Sequence, residues 1–101
     1  MFNTISEVID LSRQNGYTFF NKQRQEQNST VVHPTVYYGR YIITEGTYHG
    51  KRLFSVYKVL KDGACDIVQG ELYLSYSQAE RYIKMFLDYE EETSTEEYFN
   101  G

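Results

Sequence analysis

The hydrophobic positions change their period along the chain. Ile5, Val8 and Ile9 recur at helical spacing. Thr4-Ile5-Ser6-Glu7 precedes them as a capping box, with Thr4 as N-cap and Glu7 reaching back. Asn15-Gly16 supplies a stop. This spacing predicts a helix from about Ile5 to Gln14. Tyr17 to Phe20 is a compact aromatic stretch, expected to be extended and packed on the body. Asn21 to Thr30 holds three Gln, two Asn and no aliphatic residue, so 21–34 reads as a loop or a poorly ordered segment, with continuation of the first helix as the alternative. From Val36 the texture becomes that of a pleated surface rich in Tyr, Ile and Val. Val36–Thr44, Lys51–Leu60 and Cys65–Leu74 read as strands. Glu45–Gly50 reads as one turn, and Lys61-Asp62-Gly63-Ala64 as a tight Asp-Gly hairpin. Two capping boxes, Ser75-x-x-Gln78 and Ser77-x-x-Glu80, open the last helix. Its stripe is Ala79, Tyr82, Ile83, Phe86 and Leu87, and it is expected to run from Tyr76 to about Tyr89.

These elements define an α+β domain over residues 1–89. It is a three-stranded antiparallel meander flanked by two helices (α-β-β-β-α), with the C-terminal helix packed on one sheet face; residues 90–101 form an acidic tail. Pairing Tyr57 with Val68 and Gly39 with Tyr57 puts Tyr37, Tyr41, Ile43, Leu53, Tyr57, Val59, Val68, Leu72 and Leu74 under that helix. The opposite face carries Tyr38, Arg40, Ile42, Arg52, Phe54, Val56, Lys58, Ile67, Gln69, Glu71 and Tyr73. A one-residue slip exchanges the faces of a strand. The second set is too apolar for water and too charged for a core. It is covered either by the N-terminal segment, the favoured reading, or by a partner.

Composition sharpens this in two ways. Eleven Tyr and six Phe in 101 residues give a chain padded with aromatics, residues that serve cores and interfaces alike. The charge is divided unevenly. Residues 1–84 carry all ten Lys and Arg and are net +2, whereas residues 85–101 carry six acids and no base. The backbone from about Thr93 is expected to fray, because Glu91 and Glu92 oppose the helix dipole. No leader pattern or membrane-spanning apolar run is present, which makes the cytoplasm the simplest expectation.

Candidate chemistry is sparse. Cys65 is the single cysteine, so no internal disulfide can form, and an inert thiol is expected. His33 and His49 have no His, Cys or carboxylate at ligand spacing and read as surface residues. The tail carboxylates share one solvated environment, with nothing to split their pKa values. No glycine-rich phosphate loop occurs. The expectation is a non-enzymatic protein with no catalytic residue, metal or cofactor.

The expected function is binding, to a protein partner of unknown identity. Anchors on the mixed face would be Tyr38, Arg40, Arg52, Phe54, Lys58 and Tyr73. In the tail, Glu91, Glu92, Glu96 and Glu97 could meet a basic partner. A homodimer through the mixed face fits the same pattern, and no membrane partner is expected. By size and charge alone, acidic inhibitor-type accessory proteins of phages and mobile elements are comparable. The alternative is nucleic-acid binding through Tyr stacking. The element order is similar to that of double-stranded-RNA-binding domains, in order only. The negative charge and the lack of a basic cluster disfavour it. An enzyme ranks third.

Overall fold

In the computed structural model, which describes residues 1–20, 31–68 and 73–100 (backbone only for Tyr48 and 89–100), the fold is α+β. The elements are α1 (Ile5–Gln14), β1 (Val31–Val32), β2 (Tyr41–Tyr48), β3 (Lys51–Val59), β4 (Cys65–Ile67) and α2 (Tyr76–Asn100). The strands form one antiparallel sheet in the order β1-β2-β3-β4. The expected meander is therefore present, with the two-residue β1 added at its edge. β1 comes from the segment read as a loop, whose remainder at 21–30 lies outside the described residues.

Local chemistry sets the ends of α1. Thr4 is extended (φ −133°, ψ 155°), and its hydroxyl accepts the Glu7 N–H. The Glu7 carboxylate reaches back to accept the Asn3 N–H at 3.1 Å. At the other end, Tyr17 N–H donates to Ser12 O and Gly16 N–H to Arg13 O. These are the two crossed bonds of a Schellman cap.

Both hairpins differ in register from the expectation. The first turn is not centred on Tyr48. His49 and Gly50 hold it alone, both left-handed (φ 50° and 76°), and Tyr48 pairs with Lys51. This is the two-residue geometry whose twist matches the strands. Glu45 to Tyr48 consequently belong to β2, and Tyr37–Arg40 leave it as a separate tight turn with Tyr38 at φ 53°. The second hairpin has a three-residue loop. Gly63 N–H donates to Leu60 O, Gly63 sits at φ +89°, and Tyr57 pairs with Ile67 rather than Val68. Each shift is an odd number of residues, so β3 alone exchanges its faces relative to its neighbours.

The result is a sheet with a core on each side. Against α2 lie Tyr41, Ile43, Phe54, Val56 and Val68, closed by Ala79, Ile83 and Leu87. Against α1 lie Ile42 and Val59, closed by Val8 and Phe20, with Phe19 stacking edge-on against Tyr57 at 4.8 Å. The aromatic stretch after α1 is thus a lid on the second face. The expectation that Tyr57 and Val59 pack under the C-terminal helix, and Phe54 and Val56 opposite, is corrected. Tyr41, Ile43, Val68 and the α2 stripe hold their expected side. Leu74, assigned to the core, is 69% exposed, and Gln69, Glu71 and Leu72 lie outside the described residues.

α2 continues to Asn100, past its expected end near Tyr89. No Gly or Pro interrupts the sequence before Gly101, and Glu is a good helix former. The acidic stretch therefore continues the helix backbone.

The β3–β4 turn is fastened to the end of α1. Asn15 Nδ2 donates to Asp62 O at 2.7 Å, and the Tyr17 hydroxyl donates to the Asp62 carboxylate. That bond, together with the Ala64 N–H, holds the Asp62 carboxyl below its ordinary value, and it raises the Tyr17 phenol above its own. Asp62 contributes stability that is present above the unfolded carboxyl value near 3.8 and is lost as pH falls through the lower folded value. Tyr17 contributes stability that is present below about 10 and is lost as pH rises through its raised value. The urea midpoint of Tyr17→Phe, followed against pH, should lose the alkaline limb and show a weaker acid limb than the wild type. Superimposable pH profiles would contradict the contact.

Candidate functional site

With both faces covered, the expected anchors do not share a surface. Phe54 is 8% exposed in the α2 core, and Tyr73 packs against the same core, its ring 5.2 Å from Tyr82. Phe54 is therefore not a surface anchor, and Tyr73 is half-buried. The register shift is the reason. Arg52 ion-pairs with Glu45 at 2.7 Å near the His49 turn. That end of β3 is about 20 Å from Lys58 at the rise of a strand. Glu91, Glu92, Glu96 and Glu97 lie on the last turns of α2, where the backbone alone is described.

Two of the expected residues, Arg40 and Lys58, do meet. They line a cleft of about 580 Å³ at the other end of the hairpin, together with Lys61, Phe2, Val59 and Leu60. The elements converge for local reasons. The tight Tyr37–Arg40 turn brings Gly39 against the N-terminal segment, where Phe2 N–H donates to Gly39 O at 2.9 Å. A Cβ on Gly39 would stand 2.7 Å from Met1 Cβ, so only glycine permits this approach. Met1 and Phe2 are thereby laid along one wall. Val59 N–H donates to Arg40 O, joining the turn to β3, and Lys61 follows in the next loop. Met1 is 94% and Leu60 37% exposed, and Tyr38, beside Gly39, is 49% exposed. The cleft therefore offers apolar surface to solvent among three basic side chains. That combination suits a ligand with carboxylates and aromatic or aliphatic groups.

A second cluster sits where α2 begins. The Tyr37 hydroxyl hydrogen-bonds the Tyr76 hydroxyl and lies 3.0 Å from Glu80 Oε2. The His33 ring packs 4.8 Å from Tyr76 and 6.1 Å from Phe54. Burial first, then these hydrogen bonds, drive the Tyr37 phenol far above its ordinary value. A phenol held protonated is a poor base, and the cluster acts as a clasp from the 33–37 segment to α2. His33 is half-buried rather than the surface residue expected; its Nε2 is buried and has no hydrogen-bond partner among the described residues. His49 is exposed as expected.

Cys65 is half-buried beside the α1 core, and burial and then Asp66 push its thiol up to about 12. Among the described residues, no three His, Cys, Asp or Glu side chains converge as a metal ion would need, and no helix is long and apolar enough to cross a membrane.

Sequence reasoning missed Met1, Phe2, Leu60 and Lys61. Lys58-x-x-Lys61 across a turn was the available signal for the basic rim. Nothing in the sequence linked Phe2 to it. No family model, curated protein or solved structure matches the chain.

Proposed function

We propose that this chain is a small non-enzymatic protein-binding module whose contact site is the cleft between the N-terminal segment and the end of β3. The observation that supports this is the placement of Arg40, Lys58 and Lys61 around exposed apolar surface from Met1 and Leu60. An acidic segment with an aromatic or aliphatic anchor satisfies both features. Its charges would govern approach and its apolar anchor residence time. The same reading places the chain in the cytoplasm, acting by occupancy as an inhibitor-type accessory protein does.

Nucleic-acid binding is favoured less. Tyr37, Tyr41, Tyr57, Tyr73, Tyr76 and Tyr82 pack in or against the two cores. They do not present a row of rings for base stacking, and six acids stand in the last 17 residues.

The test is a titration of the intact protein with three synthetic peptides and one single-stranded oligonucleotide. One peptide is acidic with aromatic residues, one acidic without them, and one basic with them. The first should bind most tightly, and Lys58→Glu/Lys61→Glu should weaken it at least tenfold. Equal affinity of the double variant would remove the cleft as the site. Tight, steeply salt-dependent binding of the oligonucleotide alone would favour the other reading.

A further inference from the structure

We propose that Tyr38 sets the specificity of the cleft, its ring being the surface on which the aromatic anchor of a bound acidic segment packs; this rests on the cleft reading above. Three observations lead there. The first is a backbone that the residue does not suit. Arg40 N–H donates to Tyr37 O at 3.0 Å, and Tyr38 and Gly39 between them are both left-handed (φ 53° and 71°). This is a type I′ turn, whose central positions favour Asn, Asp and Gly. The turn at His49-Gly50 has the same pair of left-handed residues, but His is among the types enriched in that region. A bulky aromatic there is an outlier. Residues held in such conformations cluster at ligand clamps and other functional sites, where a sequence breaks its local rules.

The second observation is what the ring does inside the molecule. Every other described Tyr and Phe side chain is packed in or against one of the two cores, or, at Tyr17, hydrogen-bonded to Asp62. Tyr38 belongs to neither core, and among the described residues it makes no hydrogen bond or ring contact. At 49% it is the most exposed of the described aromatic side chains. The fold therefore gains little from this ring to offset the backbone that carries it.

The third observation is position. Gly39 and Arg40, the next two residues, both line the cleft, and consecutive Cα atoms stand about 3.8 Å apart. The turn is tied down on each of them. Gly39 O accepts the Phe2 N–H, and Arg40 O accepts the Val59 N–H. Tyr38 is thus presented at the edge of the cleft from a fixed backbone. A Tyr ring has only two χ angles to immobilise, so it gives contact area at low entropic cost. Lys61, exposed in the β3–β4 loop, offers a cation to the carboxylates of an acidic segment. Tyr38 offers its anchor a ring. Rings pair edge-on or offset with a gain beyond their buried area, which selects an aromatic anchor over an aliphatic one.

The experiment is isothermal titration of the intact chain, Tyr38→Asn and Tyr38→Phe with two peptides of equal charge. One is acidic with aromatic residues and one acidic without them, and urea unfolding of each variant runs alongside. Asn suits the turn, so Tyr38→Asn should unfold at a urea midpoint at or above that of the wild type. It should bind the aromatic peptide at least tenfold more weakly, and the other peptide within twofold of the wild type. Tyr38→Phe should bind both as the wild type does, because the ring makes the contact. A lower midpoint for Tyr38→Asn means that the ring serves the fold, and unchanged affinity means that it does not meet the ligand; either overturns the proposal. Equal weakening of both peptides, or a Tyr38→Phe variant as weak as Tyr38→Asn, overturns it as well. If Lys58→Glu/Lys61→Glu weakens the aromatic peptide and Tyr38→Asn does not, Tyr38 is dismissed and the cleft reading stands. If the wild type binds neither peptide, both fail.

Discussion

Ile83→Ala is expected to lower the unfolding free energy by about 2–5 kcal/mol. Ile83 has no exposed surface, and it sits in the middle of the cluster formed by Tyr41, Ile43, Phe54, Val56 and Ala79. Truncation removes three carbons from a site where strand and helix backbones hold the walls apart, so the cavity should close only in part. A domain of this size holds about 5–15 kcal/mol in total. Each kilocalorie corresponds to about 4–8 °C in melting temperature. The melting temperature should therefore fall by well over 10 °C, read by circular dichroism against the wild type. Met85→Ala, two residues on and on the opposite side of the helix at a position 68% exposed, is the control and should change it little. Equal melting temperatures for the wild type and Ile83→Ala would mean that α2 does not close this core.

Among the described glycines, Gly63→Ala should be the most damaging change. Gly63 sits at φ +89°, where an L side chain costs about 1–2 kcal/mol. The added Cβ would also stand 2.7 Å from Ser12 N and 2.9 Å from Ser12 Cα. These are backbone atoms of α1, so relief requires moving the helix away from the turn. Ser12 itself is fully buried there, and its small side chain permits the approach. Gly50→Ala separates the two contributions. Gly50 has φ +76° and nothing within 4 Å of its would-be Cβ, so that variant meets the backbone strain alone. Denaturant unfolding should rank Gly63→Ala well below Gly50→Ala, with a loss on the order of 3 kcal/mol or more for the former. Similar midpoints for the two would remove the contact between the turn and α1.

The sequence announced the elements more clearly than their pairing. Both ends of α1 and the start of α2 were legible because caps are local. Thr4, Glu7 and Asn15-Gly16 specify α1 within a few residues, and the stripe from Ala79 to Leu87 specifies the buried side of α2. Face assignment was not legible, because it depends on the two turns. His49-Gly50 was hidden inside a longer polar stretch whose strand residues, Glu45 to Tyr48, resemble a loop. Asp62-Gly63 suggested a two-residue turn, whereas the chain builds a three-residue one with Gly63 left-handed. Each error is odd, and together they turned β3 over. The supposed interface is divided: Phe54, Val56 and Tyr73 belong to the α2 core, and Ile42 to a second core closed by Val8, Phe19 and Phe20. The cleft was half legible. Arg40 and Lys58 were singled out, but as members of a face. What unites them with Phe2 and Lys61 is the approach of Met1 to Gly39, a long-range contact that no local pattern encodes.

The claim on which this account turns is that binding uses the end of the hairpin and neither face of the sheet. Amide chemical-shift mapping during titration with an acidic aromatic peptide tests it most directly. The account predicts perturbations at Phe2, Gly39, Arg40, Lys58, Leu60 and Lys61, with Thr44, Phe54 and Ser55 unmoved. Shifts concentrated at Thr44, Phe54 and Ser55, with the cleft amides silent, would contradict it.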